Sequence, residues 1–259
     1  METGLSGKRA IVTAGANGIG RAITETLMAA GARVHICDVD EAQIAAAREA
    51  MPGIGATLAD VSDIAAVDRL FNEALGEMGG LDILVNNAGV AGPVGPVDEI
   101  DPEGWRRCIA VDLDGPFLCS RLAVPAIREA GGGSIVNISS SAGLFGFPNR
   151  SPYAAAKWGV IGFTKTLAME QGPDGIRVNA ICPGSVNGPR IDSVIAAAAD
   201  VRGMPEGEMR DIWLQQISMR TFVEAQDIAN MVLFICSDAG AKISGQALAV
   251  DGHTESLSA

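Results

Sequence analysis

A chain of 259 residues, 48% hydrophobic and 19% charged, is long and apolar enough for one large α/β domain with a full core. Its formal net charge of -12 argues against nucleic-acid and anionic-membrane partners, both of which need a basic surface. Five scattered cysteines without a C-x-x-C pair, and only two histidines, argue against a disulfide framework and a metal site and leave few candidates for a Ser-His-Asp triad.

Short apolar runs alternate with helical stretches along the whole chain. Strands are expected at Ala10–Thr13, Arg33–Cys37, Gly55–Leu58, Ile83–Asn86, Ser134–Ser139, Arg177–Ile181 and Ala247–Val250. Helices are expected near 18–30, 41–50, 63–78, 102–129, 152–171 and 225–237. This alternation predicts a parallel sheet with helices on both faces, and strands such as Ile135-Val136-Asn137-Ile138 are apolar on both sides as such a sheet requires. No composition shift divides the chain, so one doubly wound domain over 1–259 is expected. The segment 185–220 has no strand and carries two helical pieces, Ile191–Asp200 and Glu206–Ile217, around Gly203-Met204-Pro205. An insertion of that length suits a substrate lid, or a helical pair on the surface. Neither a signal peptide at the N-terminus nor a run of eighteen apolar residues is present, so a soluble, cytoplasmic protein is expected.

The first strand ends in Thr13-Ala14-Gly15-Ala16-Asn17-Gly18-Ile19-Gly20, where a helix begins. Glycines let the backbone turn and approach a ligand, and the first amides of a helix offer donors to a pyrophosphate. Gly15, Asn17, Gly18, Ile19 and Gly20 are therefore cofactor-binding candidates. Asp38 closes the second strand, eighteen residues beyond Gly20. Its carboxylate suits the adenosine ribose hydroxyls and repels a 2′-phosphate, and neither Asn17 nor Val39 is basic; NAD is expected over NADP. Asp40 is the better placed cap for the next helix.

Tyr153 is the single tyrosine. It lies four residues before Lys157 and thirteen after Ser140, so the phenol and the ammonium share one helix face. Tyrosine ordinarily titrates near ~10, and a neighbouring ammonium favours its ionised form, which makes the pair a candidate acid–base. Ser139, Ser140 and Ser141 are consecutive; alternation along a strand lets only one of the first two face the site. Ser151 is a plausible cap and Pro152 a first helical residue for the helix that carries Tyr153.

With these residues in view, the chain resembles the short-chain dehydrogenase/reductase family from Lys8 to about Gly252, through Thr13…Gly18-Ile19-Gly20, Asp60-Val61, Asn86-Asn87-Ala88-Gly89, Ser140, Tyr153…Lys157 and Pro183-Gly184. The resemblance implies a single-domain Rossmann fold with a seven-stranded parallel sheet. It implies adenine contacts from Asp60 and Val61, and ribose and crevice contacts from Asn87, Ala88 and Gly89. Ile138, Pro183, Gly184 and Val186 would lie along the cofactor. Tyr153 would be the general acid/base, Lys157 would bind ribose hydroxyls, and Ser140, at the family's spacing, would hold the substrate oxygen. It also implies a homotetramer or homodimer built partly on the small-residue face of the 152–171 helix.

Three positions depart from the family pattern. Asp112 in Val111-Asp112-Leu113-Asp114-Gly115 stands where an Asn usually completes a catalytic tetrad through its backbone carbonyl and a water. Its carbonyl is retained, and its charge bears on the relay's titration. Ala14 replaces the first glycine of the loop, which leaves Gly15 to absorb the turn. Gly188 replaces a Thr that holds the nicotinamide end.

The expected activity is NAD-dependent interconversion of a secondary alcohol and a ketone on a small polar molecule such as a polyol, sugar derivative or hydroxy acid. The pocket should draw on Leu144–Arg150, Val90–Val94 and the 185–220 segment. Arg190, and second Arg150, are candidates for an anionic substrate group. A 3-oxoacyl thioester reductase and a non-catalytic cofactor-binding scaffold or redox sensor are the alternatives; Asp38 speaks against the NADPH of the first, and the complete Ser140, Tyr153 and Lys157 set against the second.

Overall fold

The computed structural model of the chain describes residues 3–254. Its strands β1 (Arg9–Thr13), β2 (Arg33–Asp38), β3 (Gly55–Leu58), β4 (Ile83–Asn86), β5 (Gly133–Ile138), β6 (Ile176–Pro183) and β7 (Ala247–Val250) form one sheet in the order β3-β2-β1-β4-β5-β6-β7. Every neighbouring pair is parallel. The chain winds outward from β1 to β3, then crosses back to β4. The ends of β1 and β4 therefore diverge, and that crevice at the carboxyl ends of the strands is where ligands bind in such sheets.

Alternation along the strands divides the core in two. Ala10 and Val12 of β1, Ile83 and Val85 of β4 and Val136 of β5 pack with α1 (Gly18–Ala29), α2 (Glu41–Ala50) and α9 (Ala225–Cys236). Ile11, Leu84 and Ile135 point the other way, into α3 (Ile64–Met78), α5 (Gly115–Glu129) and α6 (Ser151–Gln171). The strands are apolar on both faces because both faces are covered. Asp40 caps α2 as expected, accepting from the amides of Ala42 at 2.9 Å and Gln43 at 3.2 Å.

The expected helix over 102–129 is interrupted. It is α4 (Pro102–Ile109), a single π turn at Ala110–Asp114, and α5. Pro116 has no N–H to give the carbonyl of Asp112, so an unbroken α-helical ladder cannot pass this point. Between β6 and β7 lie α7 (Pro189–Arg202) and α8 (Glu206–Gln215). They share their own apolar cluster of Ile191, Ile195, Ala199, Met209, Trp213, Ile217 and Phe222, apart from the two sheet cores.

His35 of β2 is 2% exposed. Its Nδ1 lies 2.9 Å from Glu77 Oε2 and its Nε2 2.9 Å from Thr57 Oγ1. Burial pushes its pKa down, against the opposing pull of Glu77. The unfolded chain, with a histidine near ~6.5, then binds the extra proton first. This contribution is complete above that pH and is lost as pH falls from there through the lower folded value. Urea midpoints measured at pH 7.5 and 5.5 should therefore fall more for the wild-type chain than for His35→Gln.

Candidate active site

β1 ends at Thr13 and α1 starts at Gly18, and the turn between them is held from β4. Thr13 Oγ1 accepts from the amides of Asn87 and Ala88, each at 2.9 Å. The Asn87 amide group donates in return to the carbonyls of Thr13 at 3.0 Å and Ala14 at 3.2 Å. Ala14 itself takes the left-handed conformation, with φ +49°, so the expectation that Gly15 absorbs the turn is corrected. Gly15 is needed for packing instead: a Cβ there would stand 2.5 Å from Ile36 Cγ2. At Gly20 a Cβ would stand 1.9 Å from the Ala14 carbonyl oxygen, so only glycine lets α1 start against the turn. Asn17 caps α1, accepting from the Gly18 amide at 2.7 Å.

From this turn a cavity of about 590 Å³ runs along the strand ends. Ala14, Asn17, Gly18, Ile19, Gly20 and Asp38 line it beside β1 and β2, with Asn87 and Gly89 beyond β4. Ile138, Ser140, Tyr153 and Lys157 line it past β5, and Pro183, Gly184, Val186 and Arg190 past β6. A Cβ on Gly18 would meet no protein atom within 4 Å, so glycine there leaves space to a ligand. The free helix amides, the empty side of Gly18 and the Asp38 carboxylate suit the pyrophosphate and ribose of a dinucleotide.

Ser139, Ser140 and Ser141 all line the cavity, and their hydroxyls take different partners. Ser139 Oγ donates to the Lys157 carbonyl at 2.9 Å, which ties β5 to α6. Ser140 stays half-buried on the cavity wall, its Oγ accepting from the Ala142 amide at 3.1 Å. Ser141 opens a short 3-10 turn through Gly143. α6 begins one residue earlier than expected, and the cap is corrected: Arg150 occupies the cap position without a side-chain bond, while the Ser151 hydroxyl is buried and unpartnered.

Lys157 Nζ lies 5.5 Å from the centre of the Tyr153 ring and donates to the Ile138 carbonyl at 3.1 Å. Across it stands Asp112, fully buried in the π turn. Asp112 Oδ1 accepts from the Val90 amide at 2.7 Å, and its Oδ2 lies 3.9 Å from Lys157 Nζ. Burial pushes the Asp112 carboxyl up, and Lys157 and the Val90 amide pull it back. The Cys108 thiol, buried against the same carboxylate, is pushed up to about 11 and carries no thiolate character at neutral pH. Gly89 fits between the partners, since a Cβ there would lie 3.1 Å from Asp112 Oδ1 and 3.4 Å from Lys157 Nζ.

Five of the expected residues, Gly15, Asp60, Val61, Ala88 and Asp112, are not among the residues that line this cavity. Asp60 receives Arg107 Nη2 at 2.8 Å, and Val61 is buried against Gly115. Of the expected substrate regions, Phe147, Arg150, Ile191, Val194 and Trp213 line the cavity, and Val90–Val94 do not. Asn187, within the expected 185–220 segment, and Ala225, outside every expected segment, also line it. Only their place beside the strand ends, set by β6 and α9, marks them.

A family model described as Enoyl-(Acyl carrier protein) reductase matches residues 13–253. Trans-4-hydroxycyclohexanecarboxylate dehydrogenase of Sinomonas cyclohexanicum is 42% identical over 255 residues, covering 95% of this chain and 92% of that protein. The chain belongs to the short-chain dehydrogenase/reductase family. A second member, D-beta-hydroxybutyrate dehydrogenase of Cupriavidus necator, is 35% identical, with 96% of this chain and 98% of the relative covered. Among solved structures of the family, an actinorhodin polyketide ketoreductase with NADPH superposes with a TM-score of 0.89 at 33% identity, covering 95% of this chain and 96% of that one. As a member of the family the chain is an oxidoreductase of CH–OH groups that interconverts a secondary alcohol and a ketone by hydride transfer.

Proposed function

We propose that the enzyme is an NAD-dependent dehydrogenase of a small polar secondary alcohol, with one catalytic domain over 1–259 and a substrate lid over 185–220. The observation that carries this reading is one cavity joining Asp38 and the α1 turn to Ser140, Tyr153 and Lys157. The turn amides would hold the pyrophosphate and Asp38 the adenosine ribose, while Lys157 would hold the nicotinamide ribose. When bound, NAD supplies the hydride acceptor. Ser140 Oγ positions the substrate oxygen, and the Tyr153 phenolate takes the alcohol proton. Lys157 Nζ, 5.5 Å from the ring centre, places a positive charge where the phenolate's negative charge stands during the transfer. The proton then leaves along the side of the site where Lys157 meets Asp112, whose carbonyl lacks an i+4 donor because residue 116 is proline. In the ketone direction each transfer reverses.

Asp38 supports NAD rather than NADP, since its carboxylate faces the cavity with no cation against it among the described residues. Its Oδ1 is held by the amides of Val39 at 2.8 Å and Asp40 at 3.2 Å, which fixes the negative charge at the β2 end. NADH should bind at least roughly tenfold more tightly than NADPH, and Asp38→Ser should narrow that ratio, chiefly by tightening NADPH. Titration of cofactor fluorescence measures both; tighter NADPH binding by the wild-type enzyme would refute the assignment. The buried, unpaired cysteines suit a reducing compartment such as the cytoplasm. Exposed Phe117 of α5 and Trp158 of α6 support self-association into a dimer or tetramer.

A further inference from the structure

Arg150 is a buried cation without a counter-ion. It is 5% exposed, its Nη2 donates to the Ala91 carbonyl at 2.8 Å, and its Nε is buried with no partner. No carboxylate lies within 4 Å of it among the described residues. Phe147 and Tyr153 stack on it, with ring centres 5.2 and 5.1 Å from its guanidinium carbon. Arg190 brings a second guanidinium to 5.9 Å from the same Tyr153 ring, held by one long bond to the Gly89 carbonyl at 3.4 Å. The chain carries 31 acidic residues against 19 Lys and Arg, so the want of an acid here is not scarcity. Asp112, the buried acid of the site, is already engaged by the Val90 amide and Lys157. A buried cation left unpaired is costly, and an incoming anion removes that cost.

A second unpartnered donor stands on the same wall. Trp213 of α8 is 7% exposed, and its indole N–H has no acceptor. Its ring meets Phe147 edge to face at 6.1 Å, so Arg150, Phe147 and Trp213 form one continuous wall of the cavity. A carboxylate has two oxygens and accepts from several donors at once, a guanidinium fork among them.

We propose that Arg150 and Trp213 anchor a carboxylate of the substrate, with Arg190 closing on it from α7, so that the alcohol oxidised is a compact hydroxy acid. This rests on the dehydrogenase reading above and names its substrate class. The anchor lies beside the reacting phenol, so hydroxyl and carboxylate belong to one small molecule. A long acyl thioester would put its charges far from Arg150. Trp213 is carried by the lid, so the anion also joins the lid to the α6 side of the site.

The test compares matched acids and esters: 4-hydroxycyclohexanecarboxylate and 3-hydroxybutyrate against their methyl esters, with NAD reduction as the readout. The acids should exceed their esters in kcat/KM by roughly tenfold or more. Arg150→Gln should raise KM for the acids roughly 10–100-fold with a smaller change in kcat, lower kcat/KM for the acids at least roughly tenfold more than for the esters, and be partly restored in Arg150→Lys. Cyclohexanecarboxylate, which has no hydroxyl, should quench tryptophan emission saturably in the wild-type enzyme and not in Trp213→Phe, while cyclohexanecarboxamide should not. Esters oxidised as well as acids, equal losses on both in Arg150→Gln, or no carboxylate binding would each overturn the anchor. Carboxylate binding with no alcohol oxidised, and no effect of Tyr153→Phe, would instead overturn the dehydrogenase reading and leave the anchor standing. Should Arg150→Gln fail to fold, the acid–ester comparison in the wild-type enzyme decides alone.

Discussion

Tyr153→Phe is expected to lower kcat roughly 10²–10⁴-fold while NADH binds within about threefold of its wild-type affinity. The substitution removes one oxygen and keeps the ring, so the stacking of Arg150 and Lys157 on it survives. No other phenol exists in the chain to take over, and His35 and His253 lie outside the cavity wall. Steady-state turnover with the best hydroxy acid, together with cofactor fluorescence titration, checks both halves. A variant that keeps more than a tenth of the wild-type kcat would remove Tyr153 from the proton transfer. The large expected ratio follows from role, not from stability: the half-buried phenol has no hydrogen-bond partner among the described residues to lose.

Lys157→Met should lose both activity and stability, and the two losses separate in a double variant. Lys157 and Asp112 are almost completely buried and face each other at 3.9 Å. Removing one partner of a buried pair costs about 3–5 kcal/mol because the other charge is left alone. Here the carboxyl can take up a proton, which caps the cost. In the variant the Asp112 carboxyl loses the Lys157 pull and is raised further above an unfolded carboxyl. An acid raised in the folded state is stabilising when protonated, so stability should fall as pH rises from about 4 upward. Lys157→Met/Asp112→Asn should regain most of the lost stability, lose the pH dependence of the single variant because an amide does not titrate, and recover none of the turnover. Urea melts at pH 5 and pH 8 with kcat on the same samples give the answer. A double variant no more stable than Lys157→Met would mean that the pair is not coupled. Asp112→Asn alone keeps the backbone carbonyl at the π turn, so its activity separates the carbonyl from the charge.

Most of the framework was legible in the chain because its signals are local. Both-face apolar runs such as Ile135–Ile138 mark a covered sheet, and the cap at Asp40 follows from neighbours within a few residues. Tyr153 and Lys157 were legible for the same reason, since four residues on a helix fix a shared face. The helix over 102–129 was read as continuous because a π turn depends on what meets its side. There the Val90 amide and Lys157, distant in sequence, engage Asp112, and Pro116 withholds the bond that would close the ladder.

The turn after β1 shows the same limit at shorter range. The family resemblance leaves Gly15 to absorb the turn, but Ile36 of β2 claims the space beside Gly15, and the left-handed conformation falls on Ala14. The substrate end was least legible of all. In the chain Arg190 stands out ahead of Arg150 because it follows Gly188-Pro189 at the base of the 185–220 segment; only the fold places Arg150 between Phe147 and Tyr153 with no acid paired to it among the described residues. The layered sheet, the place of the glycine loop and the Tyr153–Lys157 pair are legible in the chain because they rest on periodicity and short spacing. Tertiary structure alone decided which cation lacks a counter-ion and which donors line one wall. Burial and charge pairing join Arg150, Phe147 and Trp213 across 147–213, and no local pattern encodes a missing partner.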